Sequence, residues 1–338
     1  MHRYQNIWIA ESYSCQKDII TLIKSTNLAN YVRIFASHSL QRPELKQLAD
    51  VFIQQPNVVD SADWLLQACV EFQVKLLFCG KHGHHIEALR FQFEHHGIQL
   101  VTGAITVEQH NNINDKFIFS NKCLMENLPA IACKKVTNTF ELNNAIEQFE
   151  SQYNQICAKP VHGVYGAGFV QLRRDVNYFK KFQSSTICNT KQFIEAYSQL
   201  EYPIAYLILP FLSGQECSVD IACNKGKVLS QVTRIKFDFY QECYTEHACH
   251  AICKILVELF DCDGLINIQF KQDQNLKWHI LEINPRPAGG FAYTAHTGVN
   301  LIAELIANKL SISLEREVTQ TAIQVLPISQ SIQVDLNN

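Results

Sequence analysis

Glu282 and Asn284 stand two residues apart in the run K-W-H-I-L-E-I-N-P, so on a strand both side chains project from one face. Gln269, in the preceding run G-L-I-N-I-Q-F-K-Q-D, lies across from them if the two strands pair. Three oxygen donors on one face, without Cys or His, suit Mg²⁺, which takes few protein oxygens and completes its octahedron with water and phosphate. The competing reading is a solvated strand face, and the apolar neighbours on both runs argue against it. Upstream, Lys159 enters the loop Gly163-Val164-Tyr165-Gly166-Ala167-Gly168. Glycines let successive backbone N–H groups approach phosphate oxygens, and a lysine supplies a compact cation for the same oxygens. On its own the loop fits equally well a flexible hairpin with a solvent-facing lysine. A third set is cationic. Arg234 and Lys236 share one strand face, and Arg286 follows the oxygen donors in N-P-R-P-A-G-G. Taken together, these groups could neutralise charge on a phosphoryl group in transfer; taken singly, each reads as a surface charge.

These groups must be positioned by an α/β framework. Up to about residue 113, the short apolar runs NIWIAES, YVRIFAS, DVFIQQ, VKLLFCG and IQLVTG alternate with stretches of helical spacing at Cys15–Ser25, Ala62–Phe72 and Ile86–His96. That alternation predicts β-α-β units and a parallel sheet. Before Gly103 the only glycines are Gly80, Gly83 and Gly97, none just after the first strand, so a dinucleotide-binding turn is missing. Further on come the helix DKFIFSNKCLMEN, the run IACKKV, a capped helix at Thr139–Phe149, and a strand–loop–strand hairpin through Gly163–Gly168. The hairpin and the lack of G-K-[ST] argue against a Walker loop. AYLILPFL, ECSVDIAC and KVLSQVTRIKFDF read as antiparallel strands with a turn at Asn224-Lys225-Gly226-Lys227, and a helix is expected from about Glu246 to Phe260. The tail after about Leu314 is polar and has no clear period.

Composition narrows the class. With 338 residues, 47% hydrophobic and 18% charged, the chain has the make-up of an ordinary globular protein of two domains or one large unit with an insertion. Lys+Arg 29 against Asp+Glu 32 gives −3, so no net positive field draws nucleic acid or anionic lipid. No apolar run approaches the roughly 20 residues that span a bilayer, and the start turns polar too early for a signal-peptide core, so a cytoplasmic protein is expected. The 13 cysteines are scattered with no C-x-x-C pair, as expected of reduced thiols packed as small hydrophobes. Cys243, His247, Cys249, His250 and Cys253 match no usual zinc spacing and read as one face of an apolar helix. His82, His84, His85, His95 and His96 read as solvated or hydrogen-bonded histidines.

The motifs A-K-P-x(2)-G-x(2)-G-x-G, F-L-S-G-Q-E-C-S-V-D and I-Q-F followed by L-E-I-N-P-R-P-A-G-G, in this order, resemble the ATP-grasp superfamily over roughly residues 115–310. The Gln…Glu-x-Asn-Pro-Arg form is closest to the carbamoyl-phosphate-synthetase-like branch. The stretch Cys157–Phe169 further resembles ATP-grasp proteins encoded with tellurium-resistance (Ter) operons. The resemblance implies a Rossmann-like pre-ATP-grasp domain over 1–113 and a two-lobed ATP-grasp domain over 114–313, followed by a tail over 314–338. The small lobe would cover about 130–210 and the large lobe 211–313.

By the same resemblance, Lys116 and Lys159 hold the phosphates of ATP, with Gly163, Gly166 and Gly168 closing over them in a mobile loop. Leu209, Phe211 and Leu212 form the adenine hinge, and Glu216 binds the ribose. Gln269, Glu282 and Asn284 bind Mg²⁺, or Mn²⁺ in its place, while Arg286, with Arg234 and Lys236 nearby, faces the transferring phosphate. Two departures stand out. Leu209-Pro210 occupies a stretch that is acidic or amide in many members, and Gln269 replaces a common carboxylate. The implied activity is an ATP-dependent ligase joining a small carboxylate to an amine or thiol through an acyl phosphate. Rival readings of the same ATP site are a non-catalytic nucleotide sensor or scaffold and a phosphotransferase. A homodimer is allowed, and neither nucleic acid nor membrane is an expected partner.

Overall fold

In the computed structural model the residues described are 4–57, 61–163, 166–177, 186–328, 331 and 333. Val164 and Tyr165 of the glycine loop lie outside them. The chain divides into two compact units, one of residues 1–111, 217–269 and 283–338, the other of 112–216 and 270–282.

The chain begins as the sequence pattern predicts. β1 (Gln5–Ser12), α1 (Gln16–Lys24), β2 (Val32–His38), α2 (Pro43–Leu48), β3 (Val51–Gln54), α3 (Ser61–Glu71), β4 (Val74–Gly80), α4 (Gly83–Glu87), α5 (Arg90–His95) and β5 (Gln99–Val101) alternate. They build a parallel sheet of order β3-β2-β1-β4-β5. The expected single helix over 86–96 is two short ones instead. β1 carries the unbroken apolar run Ile7–Ala10 because helices cover both faces of its sheet. On one face Ile19, Ile20 and Ile23 of α1 pack with Leu301, Ile302, Leu305 and Ile306 of α11 (Leu301–Leu310), all buried. Each such side chain contributes about 1.5–3 kcal/mol by burial. On the other face Trp8 stacks on Phe35 at 5.6 Å and packs with Leu65 and Phe93.

The short β6 (Gly103–Ala104) and α6 (Val107–Asn114) lead to α7 (Lys116–Met125), β7 (Lys134–Val136), α8 (Thr139–Gln152), β8 (Ile156–Pro160), β9 (Val170–Arg173), β10 (Ile187–Asn189), α9 (Thr190–Ser198) and β11 (Tyr206–Pro210). The sheet order is β10-β9-β8-β11-β7, and β8 and β9 pair antiparallel as the hairpin reading requires. Leu142, Ala145, Ile146 and Phe149 of α8, spaced i, i+3, i+4, i+7, cover the face that carries Ile156, Ala158 and Ile208. Alternation turns Cys157, Lys159, Leu207 and Leu209 to the opposite face.

The remaining strands are β12 (Glu216–Asn224), β13 (Lys227–Lys236), β14 (Gln241–Tyr244), β15 (Cys262–Gln272), β16 (Trp278–Asn284) and β17 (Ala322–Val325), with α10 (His250–Leu259) between β14 and β15. Their order is β16-β15-β12-β13-β14-β17, with β6 also pairing β15. The β12–β13 turn needs φ of +46° at Lys225 and +76° at Gly226, where glycine removes the side-chain penalty. The tail supplies a real element, because β17 pairs antiparallel with β14. The helix expected from Glu246 begins only at His250, and residues 246–249 stay outside it.

Candidate nucleotide site and its surroundings

The site in the unit of 112–216 and 270–282 is built from a helix start, a strand and a loop. Asp115 caps α7, its carboxylate accepting the N–H groups of Phe117 and Ile118. The cap fixes Lys116 as the first helical residue, and its backbone N–H donates to the Val161 carbonyl. The Lys116 ammonium reaches Gly163, donating to its carbonyl oxygen at 2.8 Å, and lies 3.9 Å from a carboxylate oxygen of Glu282. Burial and the like charge of Lys159 pull the Lys116 ammonium below its ordinary value, with Glu282 opposing them. Gly166 has φ +67° with open space where a side chain would stand, and the glycine at 168 touches Pro160 closely enough that a Cβ would lie 2.7 Å from its ring. The loop is thus shaped by its glycines to remain thin.

Lys159 lines a small pocket with Lys116, Ile131, Leu207, Leu209 and Ile280. Its volume is about 10 Å³, room for one water and far less than a purine ring. A groove of about 550 Å³ lies beside the expected hinge, with Pro210, Phe211 and Leu212 on one side and Gln155 and His279 among the other lining residues. The Phe211 N–H already donates to the Gln155 carbonyl at 2.9 Å, so it cannot also read a base, and its ring lies 6.5 Å from that of Phe169. Glu216 is half-exposed and its carboxylate meets the Lys271 ammonium at 3.3 Å.

Glu282 and Asn284 alternate with buried Ile283 on β16 and so share a face with Ile280, which borders the small pocket. Gln269 lies on β15, the neighbouring strand in the sheet. Glu282 keeps a quarter of its side chain exposed beside Lys116, and its carboxylate oxygens are of the kind a hard divalent cation takes.

The cations of the other unit separate by burial. Arg234 is buried, with its Nε donating to Asp220 Oδ2 at 2.5 Å and Nη1 to Gln241 Oε1 at 2.7 Å, while Asn267 donates to the other Asp220 oxygen. Gly290 lies so close that a Cβ there would stand 2.7 Å from Arg234 Nη1. Lys236, two residues on, is exposed at the end of β13. Arg286 stacks over the Tyr13 ring at 4.6 Å, and Lys81 approaches the same ring at 5.7 Å. Lys81 also donates to Glu11 Oε1 at 2.7 Å. Burial opposes the charge of Glu11, but hydrogen bonds from Lys81 and Ser39 outweigh it and hold the carboxyl down at about 2. Glu11, Tyr13 and Lys81 sit at the carboxyl ends of β1 and β4, where the strand order reverses, the place at which open α/β sheets bind ligands. Nothing local in the sequence marks which side chains meet there.

A second cluster draws on two residues of the run 243–253 and on Cys217, which the sequence spacing does not connect to them. Cys217, at the start of β12, meets His247 and Cys249, with ligand atoms all within 4.8 Å of one another. The run 243–253 does not act as one helix face; His250 instead meets the Thr233 hydroxyl at 2.9 Å, and the Cys243 thiol donates to the Tyr293 carbonyl. The histidines at 82, 84 and 85 do pack together, and His110, buried within the same unit, joins His84 at 6.5 Å.

No helix among the described residues is long and apolar enough to cross a membrane. Residues 203–331 match the protein family described as ATP-grasp in the biosynthetic pathway with Ter operon. No curated protein sequence matches the chain. Among solved structures the chain is similar to biotin carboxylase from Campylobacter jejuni in its β-γ-ATP complex, at 14% identity over 93% of this chain and 72% of that one, with a TM-score of 0.67. It is similar to the biotin carboxylase domain dimer of Hydrogenobacter thermophilus 2-oxoglutarate carboxylase, in complex with MgADP, ADP and bicarbonate (13%, 94% and 72%, TM-score 0.65). A third likeness is to L-amino acid ligase from Bacillus licheniformis (15%, 94% and 76%, TM-score 0.59). The strand order and the paired lysines beside a glycine loop match an ATP-grasp fold, and over residues 203–331 the chain is similar to the ATP-grasp proteins associated with Ter operons.

Proposed function

We propose that the protein is an ATP- and Mg²⁺-dependent ligase that joins a small carboxylate to an amine or thiol through an acyl phosphate. The observation that carries this reading is the meeting of Lys116 with Gly163 and Glu282, with Lys159 lining the same pocket. A cation that touches both a glycine loop and a metal-type carboxylate is what an enzyme needs where phosphate charge is to be neutralised. The structural relatives support it, since they include an L-amino acid ligase and complexes with an ATP-type nucleotide and with MgADP.

In this reading Lys116 and Lys159 bind the phosphates, and the loop of Gly163, Gly166 and Gly168 lies over them. Leu209, Phe211 and Leu212 flank the adenine, which main-chain atoms other than the Phe211 N–H must read. Glu216 accepts from the ribose after exchanging its contact with Lys271. Gln269, Glu282 and Asn284 supply oxygen ligands to Mg²⁺, which when bound would offset charge on the phosphate oxygens. A carboxylate is a poor acyl donor at neutral pH. Its oxygen attacks the γ-phosphorus, ADP leaves, and the amine or thiol then displaces phosphate from the acyl carbon. Arg286 faces that phosphate. Arg234, held by Asp220, positions the Gly290 loop, while exposed Lys236 adds positive potential. Glu11, Lys81 and Tyr13, at the carboxyl ends of β1 and β4, orient the substrate.

The test is ADP release from the full chain with Mg²⁺ and pools of amino acids and small carboxylates, followed by mass measurement of products. A ligated product with stoichiometric ADP is expected. ATP binding without ADP release in any pool would overturn the ligase reading and leave a nucleotide-binding protein.

A further inference from the structure

Three soft ligand atoms converge in the unit of 1–111, 217–269 and 283–338. They come from the first residues of β12, from the turn before α10, and from the residue that precedes its first turn. Cys217 and Cys249 are buried at 2% and 0% exposure, and His247 is half-buried. The two sulfurs are 4.0 Å apart. In a tetrahedral site with metal–sulfur bonds of about 2.3 Å, two thiolates stand about 3.8 Å apart. A disulfide holds its sulfurs near 2.05 Å. The two thiols share a hydrogen bond, and their spacing is close to that of two ligands flanking an ion.

Local detail agrees. Cys249 precedes α10 without a side-chain capping hydrogen bond, so its sulfur is not engaged with the helix backbone. His247 turns Nδ1 toward residue 249 and accepts its N–H at a long 3.3 Å, a contact that a metal bond to the same lone pair would replace while the proton stays on Nε2. No other group of three His, Cys, Asp or Glu converges this way among the described residues.

We propose that Cys217, His247 and Cys249 bind one Zn²⁺ ion, with the fourth position taken by water. Two thiolates and an imidazole select a soft divalent ion over Mg²⁺ or Ca²⁺. Binding releases the thiol protons, forms two Zn–S bonds and one Zn–N bond, and needs no oxidant. The ion would pin the start of β12 to the start of α10. Cys217 directly follows Glu216 in the chain, so the pin would also fix the strand end that presents Glu216. The inference stands whether or not the protein is a ligase.

The full chain, reduced, stripped with chelator and loaded with Co²⁺, tests it. One Co²⁺ per chain is expected, with sulfur-to-metal charge-transfer absorption in the near ultraviolet, tetrahedral-strength visible bands, and displacement by Zn²⁺. Cys217→Ser and Cys249→Ser should lose charge-transfer intensity, and Cys188→Ser, on β10, should keep it. If the serine variants fail to fold, His247→Ala retains both thiols and should weaken Co²⁺ binding about tenfold or more. Absence of the charge-transfer band in the full chain, its persistence in Cys217→Ser or Cys249→Ser, unchanged affinity in His247→Ala, or a Cys217–Cys249 disulfide in reducing buffer would each overturn the site.

Discussion

The ammonium of Lys116 and the carbonyl oxygen of Gly163 lie 2.8 Å apart, so one cation joins the start of α7 to the glycine loop. In the proposed reaction the same ammonium must bind phosphate, and nucleotide binding therefore exchanges an internal contact for an external one. A hydrogen bond involving a charged group is worth about 1.5–3 kcal/mol. Lys116→Met should raise the KM for ATP about 10- to 100-fold, and Lys116→Arg should recover part of the loss. Steady-state ADP release against ATP concentration measures both, and an unchanged KM would remove Lys116 from the phosphate site.

Glu282 lies on a half-buried strand face and touches Lys116 from the other side. Removing its carboxylate takes away the only full negative charge among the three proposed metal ligands. Glu282→Ala is expected to abolish ADP release while leaving circular dichroism and Tm near those of the parent. Glu282→Gln should retain activity only at about tenfold higher Mg²⁺. Parent-like turnover by Glu282→Ala across a Mg²⁺ titration would refute the assignment.

Much of this arrangement could be read from local pattern. The run NIWIAES marks a strand of a parallel sheet, DKFIFSNKCLMEN marks a helix that Asp115 caps, and the glycines at 163–168 mark a hairpin loop. Each signal lies within a few residues of what it specifies. What stayed hidden depends on tertiary contact. Cys217 meets Cys249 across 32 positions, Arg286 reaches Tyr13 from the far end of the chain, and buried Asp263 pairs with Lys309 at 2.7 Å. The start of α10 was misplaced for a related reason. Residues 246–249 lie ahead of the helix, where the side chains of His247 and Cys249 meet Cys217 of β12.

His110 is 2% exposed, and burial followed by repulsion from His84 pushes its imidazole down to about 4 from an ordinary 6.5. His250 is pushed down to about 4 as well, by burial and then by His247 and Lys254. Both are neutral when folded and take up a proton more readily when unfolded. Their contribution to stability is therefore complete above pH 6.5 and lost as pH falls from there toward 4, on the order of 3 kcal/mol for His110. Tm measured from pH 7.5 to 4.5 should fall, and His110→Gln should make that fall shallower. A Tm difference between parent and variant that does not change with pH would contradict the burial account.

Arg234 meets Asp220 with both groups almost fully out of water, and Asp220 is further held by Asn267. Breaking one side of such a pair leaves a buried charge unmatched and costs about 3–5 kcal/mol, whereas replacing both with apolar residues can cost little. Asp220→Ala and Arg234→Met should each lower the midpoint of urea unfolding sharply, and the double variant Asp220→Leu/Arg234→Met should recover much of the loss. Arg234→Lys separates stability from catalysis: it keeps the charge but not the fork that reaches both Asp220 and Gln241. If Arg234 acts by positioning the Gly290 loop, Arg234→Lys lowers kcat with little change in the KM for ATP. An increase in that KM with kcat intact would instead mean that the guanidinium touches nucleotide directly, and the buried pair with Asp220 would have to open for it to do so.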